Sequence, residues 1–175
     1  PRTASGDLQG KVINALYWDH MISSNDQLRQ RMAFALSQIL VYSDVNDPDQ
    51  LVRAYYQDLL IDNAFGNYRD LLGAITYSPA MAVYLTYLRN EKADPVTGRV
   101  PDENYARELM ELHTLGVDNY YTQEDVITLA EAITGWTVDQ NPEKPVQFRF
   151  RPDMHATAYR AILKQLAVGG LLLLA

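Results

Sequence analysis

Apolar residues recur along most of this chain at the three-to-four spacing of an amphipathic helix. Leu8, Val12, Ala15, Leu16 and Ile22 predict a helix over 7–22. The run NDQLRQRMAFALSQILVYS predicts a second over 25–43, with Asn25 as its N-cap. Its stripe is Leu28, Met32, Ala35, Leu36, Ile39 and Leu40. Asp47-Pro48 opens a third helix that runs to Gly66, because proline at the first helical position loses no needed hydrogen bond. Asn67 caps a shorter one, YRDLLGAITY, and Ser78-Pro79 starts PAMAVYLTYLR. Residues 90–101, NEKADPVTGRVP, read as a loop from their prolines, glycine and short polar side chains.

A helix over PDENYARELMELHTLG then ends at Gly116. Thr122 and Asp125 form a capping-box pair before VITLAEAIT, which ends at Gly135-Trp136. PVQFRF at 145–150 alternates apolar and polar residues and predicts a short strand or extended edge. The expected fold is all-α, a single multi-helix domain of about seven helices over residues 1–153. Residues 154–175 are expected to be an atypical C-terminal tail, altered or truncated, whose leucine run favours self-association.

Composition narrows the partners. A 175-residue chain that is 47% hydrophobic and 21% charged is of ordinary size and composition for one cored domain. Its net charge of -7, with a pI near 4.8 and no concentrated basic patch, disfavours nucleic acid and anionic membranes. The absence of cysteine removes disulfides, thiolate nucleophiles and cysteine-ligated zinc. The opening PRTASGDLQG lacks the pattern of a signal peptide. AVGGLLLLA at 167–175 is far short of the ~20 apolar residues a spanning helix needs.

ENYARELMELHTLG followed by YTQEDVITLAEAITGW resembles the large bacterial family of domains of unknown function numbered 1800. RMAFALSQILVYS, AFGNYRDLLGAITYSPAM and LRNEKADPVTGRVPDEN are also similar to it, so the resemblance spans roughly residues 20–155. It implies a helical fold, a bacterial source and, since members are often exported, a periplasmic or exported location. Members are usually much longer, which implies an internal or truncated piece. After RFRPDMH the sequence departs from the family pattern, and the role of His155 departs with it.

The helix beginning near 103 concentrates the polar chemistry. At about 100° per residue, Asn104, Arg107, Glu108 and Glu111 share roughly a third of its circumference, while Tyr105, Leu109 and Leu112 lie on a neighbouring face suited to a core. On a solvated surface, Glu103, Arg107 and Glu111 make an i,i+4 ladder. Facing a cleft, Glu108 and Glu111 become an acid and a base, oriented by Arg107 and Asn104. Joined to another helix, the same groups make a structural network.

Asp94, Asp102 and Glu103 offer hard oxygen ligands for calcium around a Gly/Pro loop, although their spacing is not that of an EF-hand. His20, His113 and His155 have no zinc-site spacing, and His113 projects away from Glu108 and Glu111. No G-x-S-x-G elbow or phosphate-cradling glycine loop is present, and Ser37 sits mid-helix among apolar residues. Tyr55, Tyr56, Tyr77, Tyr84, Tyr87, Tyr105, Tyr120 and Tyr121 are candidates for a carbohydrate groove or for bridging core and surface.

Three function classes follow. The leading expectation is a hydrolase acting through Glu108 and Glu111 on an ester, lactone or glycosidic bond. A module binding carbohydrate or protein, or a structural piece of a longer protein, is the alternative. A cleft at the polar stripe favours the first, a tyrosine-lined groove the second, and a large exposed apolar patch the third.

Overall fold

The computed structural model describes residues 6–43, 50–138 and 148–157, and of residues 6–11 and 50 the backbone alone. The described residues form seven helices: α1 (Gly6–Ser23), α2 (Gln27–Ile39), α3 (Gln50–Asp62), α4 (Tyr68–Thr76), α5 (Pro79–Tyr84), α6 (Asn104–Glu111) and α7 (Gln123–Ala132). Two three-residue strands, β1 (Trp136–Val138) and β2 (Phe148–Phe150), complete the elements. The fold is all-α with one small antiparallel ribbon, in register Trp136 to Phe150, Thr137 to Arg149 and Val138 to Phe148. Among the described residues no helix is long and apolar enough to cross a membrane. Contacts gather into two compact units, Pro1–Ala80 and Met81–Ala175.

In the first unit α2 packs on α3, α1 packs on both, and α4 packs on α3. The start of α2 is set by Asp26 rather than Asn25, and the cap makes no side-chain bond to the helix backbone. Asp26 Oδ1 instead accepts from the Ser24 hydroxyl at 2.9 Å and from Gln30 Nε2 at 3.2 Å, which holds its carboxyl below the ordinary range. Asn67 caps α4 as its sequence implies, with Oδ1 accepting from Arg69 N–H at 2.8 Å. The expected start of α3 at Asp47-Pro48 lies outside the described residues.

The expected apolar stripe of α2 is buried only in part. Leu28 is 70% exposed and Ile39 52%, whereas Gln30, Ala33 and Leu40 are buried. A small Ala33 lets helices approach closely, and Gln30 reaches the interior with its amide donating to Asp26. Tyr56 on α3 donates its hydroxyl to the Leu40 carbonyl at 2.8 Å, tying the end of α2 to α3. Val12, Leu16 and Ile22 on α1 are likewise exposed.

In the second unit α5 stops at Tyr84, short of the Arg89 that periodicity suggests. Thr86 and Arg89 both adopt φ 64°, a left-handed conformation that breaks the helical ladder. The turn sends Tyr87 inward, where its ring lies 4.5 Å from that of Tyr105 and both are fully buried. Burial of a large aromatic offsets the strain of the turn.

Asn90, predicted as an ordinary loop residue, is buried and acts as a backbone surrogate. Its side chain donates to the Asp102 carbonyl at 3.0 Å and accepts from Asp102 N–H at 2.8 Å. Its own carbonyl accepts from Gly135 N–H at 2.9 Å. Gly135 has φ 92°, and a Cβ there would lie 2.9 Å from the Arg151 carbonyl oxygen, so only glycine fits.

Trp136 stacks on Phe148 at 5.2 Å and packs on Phe150 at 5.1 Å. His155 Nδ1 lies 2.8 Å from the Thr134 carbonyl, which can only accept, so Nδ1 carries the hydrogen. Ala156 N–H donates to the Thr134 hydroxyl oxygen at 2.8 Å. Met154–Ala156 is thus pinned to the unit. Residues 145–147 of the expected strand and 158–175 of the expected tail lie outside the described residues.

Burial ranks two leucines of one helical run oppositely. Leu40→Ala is expected to lower the unfolding free energy by about 2–5 kcal/mol. Leu28→Ala is expected to change it by less than about 0.5 kcal/mol. Urea denaturation of both variants checks this, and equal losses would return Leu28 to the core.

Candidate functional site

The polar helix α6 is placed by its two ends. At the N-terminus Asp102 Oδ1 accepts from Asn104 N–H at 2.8 Å, while Asp102 itself is held by Asn90. At the C-terminus Leu115 and Gly116 N–H both turn back to the Met110 carbonyl, at 2.7 and 3.1 Å, and Gly116 takes φ 92°. Tyr105, Ala106, Leu109 and Met110 are buried, and His113 follows them into the core. Leu112, expected on this face, is 63% exposed because it sits at its edge, beyond the last residue of α6. Burial holds the His113 imidazole below the ordinary histidine range, so the neutral ring is favoured.

The opposite face carries the charges, and Arg107 organises them. Its Nη2 donates to Glu103 Oε2 at 2.9 Å and to Gln123 Oε1 at 2.9 Å. Gln123 Nε2 donates in turn to Glu103 Oε2 at 2.7 Å, closing a three-residue ring between α6 and the first residue of α7. Arg107 Nη1 reaches Glu111 Oε1 at 3.4 Å, and Glu111 also hydrogen-bonds the Tyr121 hydroxyl. α7 is itself fixed by the expected capping box, with Thr122 and Asp125 bonding each other's backbone.

Of the four candidate catalytic residues, Arg107 and Glu111 therefore meet, in company with Glu103. Asn104 turns aside, its amide donating to the Thr86 hydroxyl oxygen at 3.3 Å. Glu108 is half-buried on the same helix, and among the described residues its carboxylate joins no hydrogen bond or ion pair. The ladder and the inter-helix network anticipated from the spacing are one object. Gln123, which joins it, has no signal in the sequence beyond its place after a cap.

The three candidate calcium ligands are engaged separately. Asp94 closes its own loop, Oδ1 accepting from Val96 N–H at 2.9 Å and Oδ2 from the Thr97 hydroxyl at 2.8 Å. The Thr97 bond, followed by that of Val96, holds its carboxyl below the ordinary range. Asp102 is spent on the start of α6, and Glu103 on Arg107 and Gln123. Among the described residues there is no group of three or more His, Cys, Asp or Glu that could hold a metal ion.

A cavity of about 270 Å³ lies in the first unit, framed by α1, α2 and α3. Its wall mixes aromatic rings (Tyr17, Phe34, Tyr42, Tyr56), amides (Gln30, Gln38, Gln57), the Ser37 hydroxyl and the Arg53 guanidinium with aliphatic side chains. The rings of Tyr42 and Tyr56 pack at 5.3 Å. Ser37 donates to the Phe34 carbonyl at 2.7 Å, a packing role rather than that of a nucleophile. Burial pushes the Tyr17 hydroxyl pKa up, with the Arg53 charge pulling it the other way.

Of the eight tyrosines singled out from sequence, Tyr56 borders this space, while Tyr87 and Tyr105 are spent in the second unit's core. Tyr17 and Tyr42 border it without having been singled out. Residues from three helices converge here, and no local spacing encodes that.

The family model described as "Protein of unknown function (DUF1800)" matches residues 4–170 of the 175, and the chain belongs to that family. Neither a curated protein nor a solved structure matches it.

The Arg107 network is expected to act on stability. Arg107→Met removes two half-exposed i,i+4 pairs and the Gln123 bond, and should cost about 1 kcal/mol, less in high salt. Glu108→Gln should shift stability by less than about 0.5 kcal/mol. Thermal melts at low and high salt check both. A larger loss in Glu108→Gln would put that carboxylate inside the network.

Proposed function

We propose that this member of the DUF1800 family is a small-molecule binding module, with its site in the cavity framed by α1, α2 and α3. The cavity's lining carries the reading. Aromatic rings beside amides and a guanidinium, in a recess about one sugar ring in size, are what a polar ring-shaped ligand requires. Tyr42 and Tyr56 place paired aromatic rings on the cavity wall. Gln38 and Gln57 offer both donors and acceptors, and Tyr17 a hydroxyl. The carboxylate helix serves in this reading as the joint between α6 and α7.

A second reading keeps the hydrolase on α6, favoured by one observation. Glu108 stands half-buried outside the Arg107 ladder, with Glu111 one turn away. In this reading Glu108 exchanges the proton with substrate, Glu111 assists it, and Arg107 and Asn104 orient the pair.

One pair of measurements separates the two. Monosaccharides and disaccharides are titrated into wild type and Tyr42→Ala by calorimetry, and chromogenic esters, lactones and glycosides are offered to wild type and Glu108→Gln. Binding weakened tenfold or more in folded Tyr42→Ala, with no turnover, is the expected result. Turnover of one substrate class that disappears in folded Glu108→Gln would replace the binding module by the hydrolase.

A further inference from the structure

We propose that the cavity in the first unit takes an uncharged ring bearing several hydroxyls, a neutral hexose, and that the Gln57 carboxamide reads a pair of its adjacent hydroxyls. This rests on the binding-module reading and narrows its ligand.

Unspent hydrogen-bonding capacity is the first argument. Arg53, Tyr42 and Tyr56 on the wall already hold interactions of their own, and the Ser37 hydroxyl donates to the Phe34 carbonyl. Gln57 on α3 is half-buried, borders the cavity and, among the described residues, joins no hydrogen bond. The Tyr17 hydroxyl on α1 joins none either, and burial raises its pKa, so it stays protonated and able to donate. Gln30 on α2 is 1% exposed, yet it borders the same space. Its amide nitrogen donates to Asp26, while its carbonyl oxygen accepts from none of the described residues. A carbonyl so deeply placed and left without a donor is costly unless water or a ligand supplies one.

The kind of ligand follows from which groups are left open. All three are uncharged, so an ionic ligand finds no free counter-charge among them. They come from three helices around the space, and about 270 Å³ limits the occupant to about one ring. A planar heterocycle has fixed donors and acceptors, each of which must meet its match. A hydroxyl donates and accepts and rotates to suit, so a ring carrying several can answer the Gln30 carbonyl, the Tyr17 hydroxyl and the Gln57 amide together. The carboxamide places one donor beside one acceptor, and therefore engages two neighbouring hydroxyls at once. Phe34, which borders the cavity and is 39% exposed, gives the C–H face of such a ring an apolar neighbour.

The test is calorimetry on the full chain with D-glucose, D-galactose, D-mannose, D-glucuronate and uracil. The hexose that binds best is then compared with each of its singly deoxygenated forms on wild type, Gln57→Met and Gln57→Asn, all checked for folding by circular dichroism. Removing either of two neighbouring hydroxyls is expected to weaken wild-type binding about tenfold or more. Gln57→Met should bind those two deoxy forms as it binds the parent hexose. Gln57→Asn, whose carboxamide is one methylene shorter, should lose the same discrimination and stands in if Gln57→Met does not fold. Deoxy losses that persist unchanged in both variants would overturn Gln57 and leave the binding module standing. Glucuronate or uracil bound with every hexose inert would overturn the neutral polyol and again leave the module. If no ligand binds, the binding module falls and the hexose with it.

Discussion

The second unit is organised around one buried amide. Asn90 bonds both backbone groups of Asp102, and its own carbonyl takes Gly135 N–H. A side chain that copies the pairing of a β-strand brings together the loop after α5, the start of α6 and the entry to β1. Asn90 and Gly135 are buried, so a bond lost there leaves a desolvated polar group behind. The positive φ at Gly135 and the left-handed Arg89 are the backbone adjustments that let the three segments converge on that residue.

This anchoring explains how α6 presents its charges. With Asp102 holding the first turn and the turn at Gly116 following the last, the buried row from Tyr105 to Met110 fixes its rotation. Glu103, Arg107 and Glu111 then point along one side toward α7, where Gln123 completes the ring. A guanidinium that serves two carboxylates and an amide has few donors left to polarise a substrate. What looks from the sequence like a concentration of catalytic groups is for the most part a joint between helices, from which Glu108 stands apart.

The first unit shows how far periodicity reaches. The repeat of apolar residues located α1 and α2 to within a few residues, and the Asn67 cap located α4. It did not identify which face α2 buries. Gln30 and Ala33 are turned inward because a small residue allows close approach and an amide can carry its own partner inside. Of the stripe, Leu28 and Ile39 face outward while Leu40 is buried. A hydrophobicity pattern assumes that burial follows apolarity, and here close helix contact decided instead.

Local chemistry was thus legible in the sequence: helix existence, the Asn67 cap, the Thr122–Asp125 box, the loop at 90–101, and membership of the DUF1800 family, although α6 and α7 end at Glu111 and Ala132, short of Gly116 and Gly135. These depend on neighbours within one or two turns, so adjacent residues suffice to specify them. The length of α5, the buried role of Asn90, the partnership of Arg107 with Gln123 and the cavity of the first unit were decided by tertiary structure. Each depends on groups from separate segments meeting in space, such as Tyr87 finding Tyr105 or Arg107 finding Gln123. Spacing along the chain carries no record of those meetings.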